Sequence, residues 1–250
     1  MIKFLKNTIK KFTLKTPKLL DGVKNKIDFK EPELIFKSFG ELNEDKIFYV
    51  IKRSPGTGLF SNVTFVLNHL KICEMNNFIP VIDMDNFKTI YNENRKIKNT
   101  NNAWEYYFEK LNKFSLEEVY KSKNVLITSD KFFHFFTYNI DLDDQMIRLL
   151  QSQIKINKIL YKSYKRISKI FIGKKILGIH FRGTSYKRSP GHPFPATKRQ
   201  MLEITKNLIK QEKIDKIFLV TEEQNYLDFF EKKFPNKIIH IKCCYRSNKN

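Results

Sequence analysis

Residues 175–181 read KILGIHF, residues 216–221 read KIFLVT and residues 237–242 read KIIHIK. Each run is short, apolar and rich in β-branched residues, which is the pattern of a buried strand. Residues 196–212 and 222–234, which lie between them, have the spacing of helices. Strands that alternate with helices imply a parallel sheet, with ligands at the C-terminal ends of the strands. The same order occurs upstream. KIFYVIK (46–52) reads as a strand, SPGTG (54–58) as a turn and residues 59–74 as a helix, followed by the strand FIPVID (78–83). In that helix Phe60, Val63, Phe65, Val66, Leu67 and Leu70 are expected to face mostly inward. Residues 86–124 read as irregular and helical around Asn102–Phe108, Val125–Thr128 as a further strand, and residues 141–172 as a helical bridge. The expected fold is α/β, with two Rossmann-like parallel-sheet units. Residues 46–172 form the first, with a helical extension; residues 173–250 form the second, with only three strands.

The 250 residues carry 47 Lys+Arg against 26 Asp+Glu, a formal charge of +21, and 41% hydrophobic residues. That is enough apolar material for a real core and excludes a disordered chain. Three cysteines, two of them adjacent at Cys243 and Cys244, do not make a disulfide framework. There is no run of about 18 apolar residues to span a membrane. The expectation is a soluble, cytoplasmic protein with a basic surface. The basic residues are 39 Lys and only 8 Arg, whereas bidentate recognition of phosphates and bases favours Arg. With no RNP-like, zinc-finger or helix-turn-helix pattern, nucleic acid is not the expected partner. A phosphate-bearing substrate or an anionic surface suits the charge equally well. Residues 1–30 hold nine Lys and two Asp, with Ile2, Leu5, Ile9 and Phe12 at helical spacing. Residues 1–16 therefore read either as a basic amphipathic helix able to lie on the inner face of an anionic membrane, or as a helix packed on its own domain.

Four places could carry chemistry. Gly56 and Gly58, with Asn62, follow a strand and open a helix, where free backbone N–H groups attract anions; the spacing is neither G-x-G-x-x-G nor a P-loop. His180 and Arg182, followed by Gly183 and Thr184, end a strand; alternation puts His180 and Arg182 on one face and Phe181 on the other. Arg182 could clamp a diphosphate and stabilise the charge that grows on a leaving nucleotide, or pair with a local carboxylate. Glu222 and Glu223 follow another strand and could bind sugar hydroxyls, orient the Arg, or simply favour a helix N-terminus. Asp83 and Asp85 form an Asp-x-Asp after a strand, a pattern that can hold a divalent cation and a diphosphate. His69 and His134 read as packed, and Cys73 as a small buried hydrophobe.

The strand with His180-x-Arg182-x-Thr184, a loop to His192-Pro193, a helix, and then Phe218-Leu219-Val220-Thr221-Glu222-Glu223 together resemble the α-1,6-fucosyltransferase and nodulation-fucosyltransferase group. The Gly56-x-Gly58 turn with Asn62 looks like the Gly-rich turn that opens that group's first domain. The resemblance runs from about residue 50 to residue 240. It implies a GT-B fold and metal-free, inverting transfer of fucose, or a related sugar, from a GDP-sugar to a glycan acceptor in cell-surface polysaccharide synthesis. It further implies that Arg182 binds the β-phosphate and that His180 contacts the guanine, with Gly183, Thr184 and Glu222 or Glu223 lining the site. Three departures stand out. Ser185 replaces the motif's Asp, Glu222-Glu223 replaces Asp-Asp, and the loop 183–195 holds no carboxylate, so the group's general base is absent there and His192 could stand in for it. The family's pattern also runs on past the position of Asn250, so the second unit is expected to be truncated. Two other readings stay open: a metal-dependent nucleotide-sugar transferase built on Asp83 and Asp85, and a non-catalytic relic that binds nucleotide or glycan.

Overall fold

A computed structural model describes residues 34–56, 58–128, 143–183, 194–242 and 246–247. Residues 1–16, His134, Thr184, His192, Cys243 and Cys244 lie outside the described residues. The chain forms two compact units, Met1–Lys162 and Ser163–Asn250.

In the first unit β1 (Ile35–Lys37), β2 (Phe48–Ile51), β3 (Ile79–Ile82) and β4 (Val125–Ile127) form a sheet in the order β1-β4-β2-β3. β2 runs parallel to both β3 and β4, as a βαβ connection requires. β1 was not legible as a strand; it pairs antiparallel with β4 and makes the sheet mixed. All four residues of β2 are buried. Tyr49 and Ile51 join the core formed with helix α1 (Leu59–Asn76), while Phe48 and Val50 join a second cluster with Val81, Val119, Val125 and Ile127. A central strand covered on both faces has no polar side, which is why its sequence shows no alternation.

α1 is buried along most of its circumference, from Asn62 to Cys73. Phe60 departs from the expected inward face: it is 79% exposed, on the same helical stripe as Thr64, whose hydroxyl bonds back to the Phe60 carbonyl at 3.1 Å. The short helices α2 (Ala103–Tyr107) and α3 (Leu116–Val119) are capped by Asn102 and Ser115. α4 (Asp144–Gln153) is capped by Asp143 and tied to α1. Glu74 receives Arg148 at 2.7 and 3.0 Å, and Lys71 pairs with Asp143.

The expected helical stretch 141–172 is broken. Between α4 and α5 (Lys158–Ser168), Ile156 bridges antiparallel to Phe108. Glu109 N–H donates to the Lys155 carbonyl and Asn157 N–H to the Tyr107 carbonyl, each at 2.8 Å. Those bonds take the backbone groups that a continuous helix would use.

In the second unit β5 (Ile176–His180), β6 (Lys216–Val220) and β7 (Ile238–Ile239) form a parallel sheet in that order. α6 (Lys198–Glu212) and α7 (Gln224–Lys233) make the connections. α6 opens with a full capping box, Thr197 and Gln200 each bonding the other's backbone N–H. The core gathers Ile179, Phe181, Ile217, Leu219, Leu227 and Phe230. Among the described residues no helix is long and apolar enough to cross a membrane.

Candidate functional site

The C-terminal edge of β5 is set by one buried ring. Phe181 N–H still bonds the Val220 carbonyl at 2.9 Å, so the strand's alternation extends past its last paired residue. The Phe181 ring stacks on Tyr226 (centroids 4.0 Å apart, planes at 17°) and meets Phe230 edge-on at 5.8 Å. With Phe181 held in the core, His180 and Arg182 are exposed.

The next residue is a close approach of backbone to acid. Gly183 N–H donates to Glu222 Oε1 at 3.0 Å. The same carboxylate oxygen lies 3.8 Å from Arg182 Nε. Beneath Gly183 lies Glu223, which is fully buried. A Cβ at Gly183 would fall 2.0 Å from Glu223 Oε1 and 2.9 Å from its Cγ, so any larger residue there would have to displace the buried Glu223 side chain. Glu223 is the residue before α7, yet its side chain does not cap that helix; its own N–H donates to the Thr221 hydroxyl at 3.2 Å. The Glu222 backbone is tied by Ser247, whose N–H donates to the Glu222 carbonyl at 2.7 Å while its carbonyl accepts from Gln224 N–H at 3.0 Å. Four of the expected donor-site residues, Arg182, Gly183, Glu222 and Glu223, thus come together at the C-terminal ends of adjacent parallel strands. His180 stands beside them, level with Val220 in the register.

In the first unit Gly56 holds the left-handed conformation (φ +75°) that the turn demands. Gly58 caps α1, and Asn62 N–H returns to its carbonyl at 3.1 Å. Asn62 is buried, with its amide against Gly56: a Cβ there would lie 3.2 Å from Asn62 Oδ1. The turn is further pinned by Arg53, a residue the sequence reading passed over. Its guanidinium is buried, donates to the Ser61 carbonyl and lies 4.9 Å from the centre of the Phe65 ring. The available signal was its place, directly after an apolar strand and before the glycine turn. His69 is buried behind it and shares a hydrogen bond with the Tyr49 hydroxyl at 2.9 Å. Burial, helped by the Arg53 charge, lowers the His69 pKa to about 3.

Asp83 is put to structural use. Its Oδ1 accepts from Asp85 N–H (3.1 Å) and Asn86 N–H (2.9 Å); its Oδ2 accepts from the Asn86 amide (3.0 Å) and the Tyr120 hydroxyl (2.6 Å). Four donors fill both oxygens and close the loop after β3. A cleft near β3, lined by Pro80, Ile82, Trp104, Lys110 and Asn112, encloses about 30 Å³, room for about one water.

No protein-family model matches the chain, and no curated protein matches it. Among solved structures it is similar to the fucosyltransferase NodZ from Bradyrhizobium, with a TM-score of 0.46 and 17% identity over 78% of this chain and 79% of that one. It is also similar to NodZ α-1,6-fucosyltransferase co-crystallised with GDP (TM-score 0.45, 15% identity, 79% of each chain) and soaked with GDP-fucose (TM-score 0.44, 16% identity, 78% of each chain). The likeness is one of fold.

Proposed function

We propose that this protein is a glycosyltransferase that draws its sugar from a nucleoside diphosphate sugar, and that the edge of β5 holds the diphosphate. One observation carries the reading: a guanidinium (Arg182) and a backbone N–H (Gly183) converge on a single oxygen, that of Glu222, at the C-terminal edge of a parallel sheet. A planar cation beside a backbone N–H donor is suited to a phosphate. The motif resemblance supports a GDP-sugar as donor, GDP-fucose or a relative of it, with His180 near the base and a glycan hydroxyl as acceptor. In the reaction that hydroxyl attacks the anomeric carbon. The bond from that carbon to the phosphate oxygen breaks, and its electron pair goes to the departing GDP. Arg182 stabilises the charge on the leaving group, so no metal is needed. The hydroxyl proton passes to a general base, for which His192 is the proposal.

Thermal unfolding with GDP, GDP-fucose, GDP-mannose and UDP-sugars, each with and without EDTA, tests the reading. A ligand that binds only the folded state adds about 2.7 kcal/mol at a hundredfold excess over its dissociation constant. The expected result is a rise in midpoint with GDP and GDP-fucose that EDTA does not alter and that Arg182→Ala abolishes without unfolding the chain. A shift that disappears in EDTA would favour a metal-dependent enzyme, and nucleotide binding without sugar transfer would favour a non-catalytic binder. An Arg182→Ala variant that keeps the shift would sink the assignment.

A further inference from the structure

The convergence of Arg182 and Gly183 has an occupant already. We infer that the Glu222 carboxylate is a resident competitor for the anion site: it sits where the phosphate is proposed to bind and must swing away before the donor enters. The inference rests on the proposed diphosphate site and adds its regulation.

The chemistry is that of one anion imitating another. A carboxylate oxygen that accepts a backbone N–H at 3.0 Å, with an arginine nitrogen at 3.8 Å, has the partners a phosphate oxygen would take. The occupant is removable. The Arg182 and Glu222 side chains are 46% and 33% exposed, and an ion pair this open is weak. The Glu222 carbonyl is anchored by the Ser247 N–H, in the bridge that Ser247 forms with Glu223. Displacing the carboxylate therefore calls for side-chain rotation only, and the strand end stays in place. Glu223 is in the opposite situation: it is fully buried under Gly183. Of the two adjacent acids, one is a fixed floor and the other a movable gate.

Titration calorimetry with inorganic pyrophosphate, and separately with GDP, tests this on the full chain. Glu222→Gln keeps the shape and an acceptor for Gly183 N–H but removes the charge. It should bind pyrophosphate about five- to tenfold more tightly than wild type, the lower range for a unit charge about 4 Å away in a water-like dielectric. Glu222→Asp keeps the charge but withdraws it by one methylene, beyond hydrogen-bond reach of Gly183. If occupancy is what matters, it recovers a good share of the gain. Equal affinity in wild type and Glu222→Gln overturns the inference. So does an Asp variant that matches wild type while the Gln variant gains, because charge alone would then explain the effect. Pyrophosphate binding by none of the three proteins also overturns it. Should Glu222→Gln unfold, the Asp variant alone decides. The GDP titration separates the two claims: a pyrophosphate gain without GDP binding keeps the gate and sinks the nucleotide reading. GDP binding that depends on Arg182, with no gain in the variants, does the reverse.

Discussion

Gly183 owes its identity to a neighbour rather than to its own backbone angles. The space a methyl would need is taken by the side chain of Glu223, a fully buried acid. Gly183→Ala should therefore destabilise the second unit by about 1–3 kcal/mol, the usual cost of overpacking, and weaken GDP binding by displacing the N–H. Urea unfolding beside a GDP titration checks this; unchanged stability and affinity would mean that Glu223 can move. His69 makes a different residue-scale claim. Unfolded, it takes a proton near pH 6.5; folded and buried, only at about 3. Between those values the unfolded chain binds more protons, so stability is lost as pH falls. The slope is about 1.4 kcal/mol per pH unit, or about 2 kcal/mol lost by pH 5. His69→Gln should be less stable at pH 7.5 but lose less between pH 7.5 and 5. If both proteins lose the same amount, the acid sensitivity belongs to other groups.

At the scale of elements, α4 depends on one residue. Asp143 caps it by accepting Met146 N–H at 2.8 Å, and it neutralises Lys71, whose side chain is only 10% exposed. The Lys71 ammonium beside it holds the Asp143 carboxyl below its ordinary range. Asp143→Ala should cost about 2–3 kcal/mol, from a lost cap and a largely buried ammonium left without this partner. Asp143→Asn, which keeps the cap, should cost roughly half. Denaturant midpoints of the two variants check the ratio; equal losses would assign the whole effect to the charge. Elements of this fold were legible in the sequence where burial wrote them. β2, β3, β5 and β6 are apolar runs bounded by turns, and the parallel order follows from their alternation with helices. β1 was not legible, because three residues, Ile35–Lys37, gain strand geometry only from β4, some ninety positions away. The break at residues 154–157 was hidden for a similar reason: its cause is the backbone of Tyr107–Glu109. At the candidate site the alternation around Phe181 put His180 and Arg182 on the opposite face, and in the structure that face is the exposed one. The Glu222–Gly183 bond and the Glu223 floor join distant strand ends, so no local pattern carries them. Arg53 escaped because nothing local distinguishes a buried arginine from an exposed one.

At the scale of the whole molecule, the excess of 21 positive charges is mostly lysine. Lysine is a hydrated point charge, better suited to a diffuse field than to fitting a bidentate anion. Under the proposed function the labour would be divided: arginine at the strand end would make the contact, and the lysine field would gather the ligand. Such a field speeds the arrival of anions and is screened within a Debye length, about 10 Å at 0.1 M salt and a third of that at 1 M. The association rate of a fluorescent GDP analogue should therefore fall several-fold between about 0.05 and 0.5 M NaCl, in step with that screening. The dissociation rate, which the proposed site would set through the few contacts at Arg182 and Gly183, should change far less. Stopped-flow mixing resolves the two. If salt instead acts mainly on dissociation, the relevant charges stand at the site itself. The exposed Arg182–Glu222 pair, rather than the surface at large, would then set the electrostatics of binding.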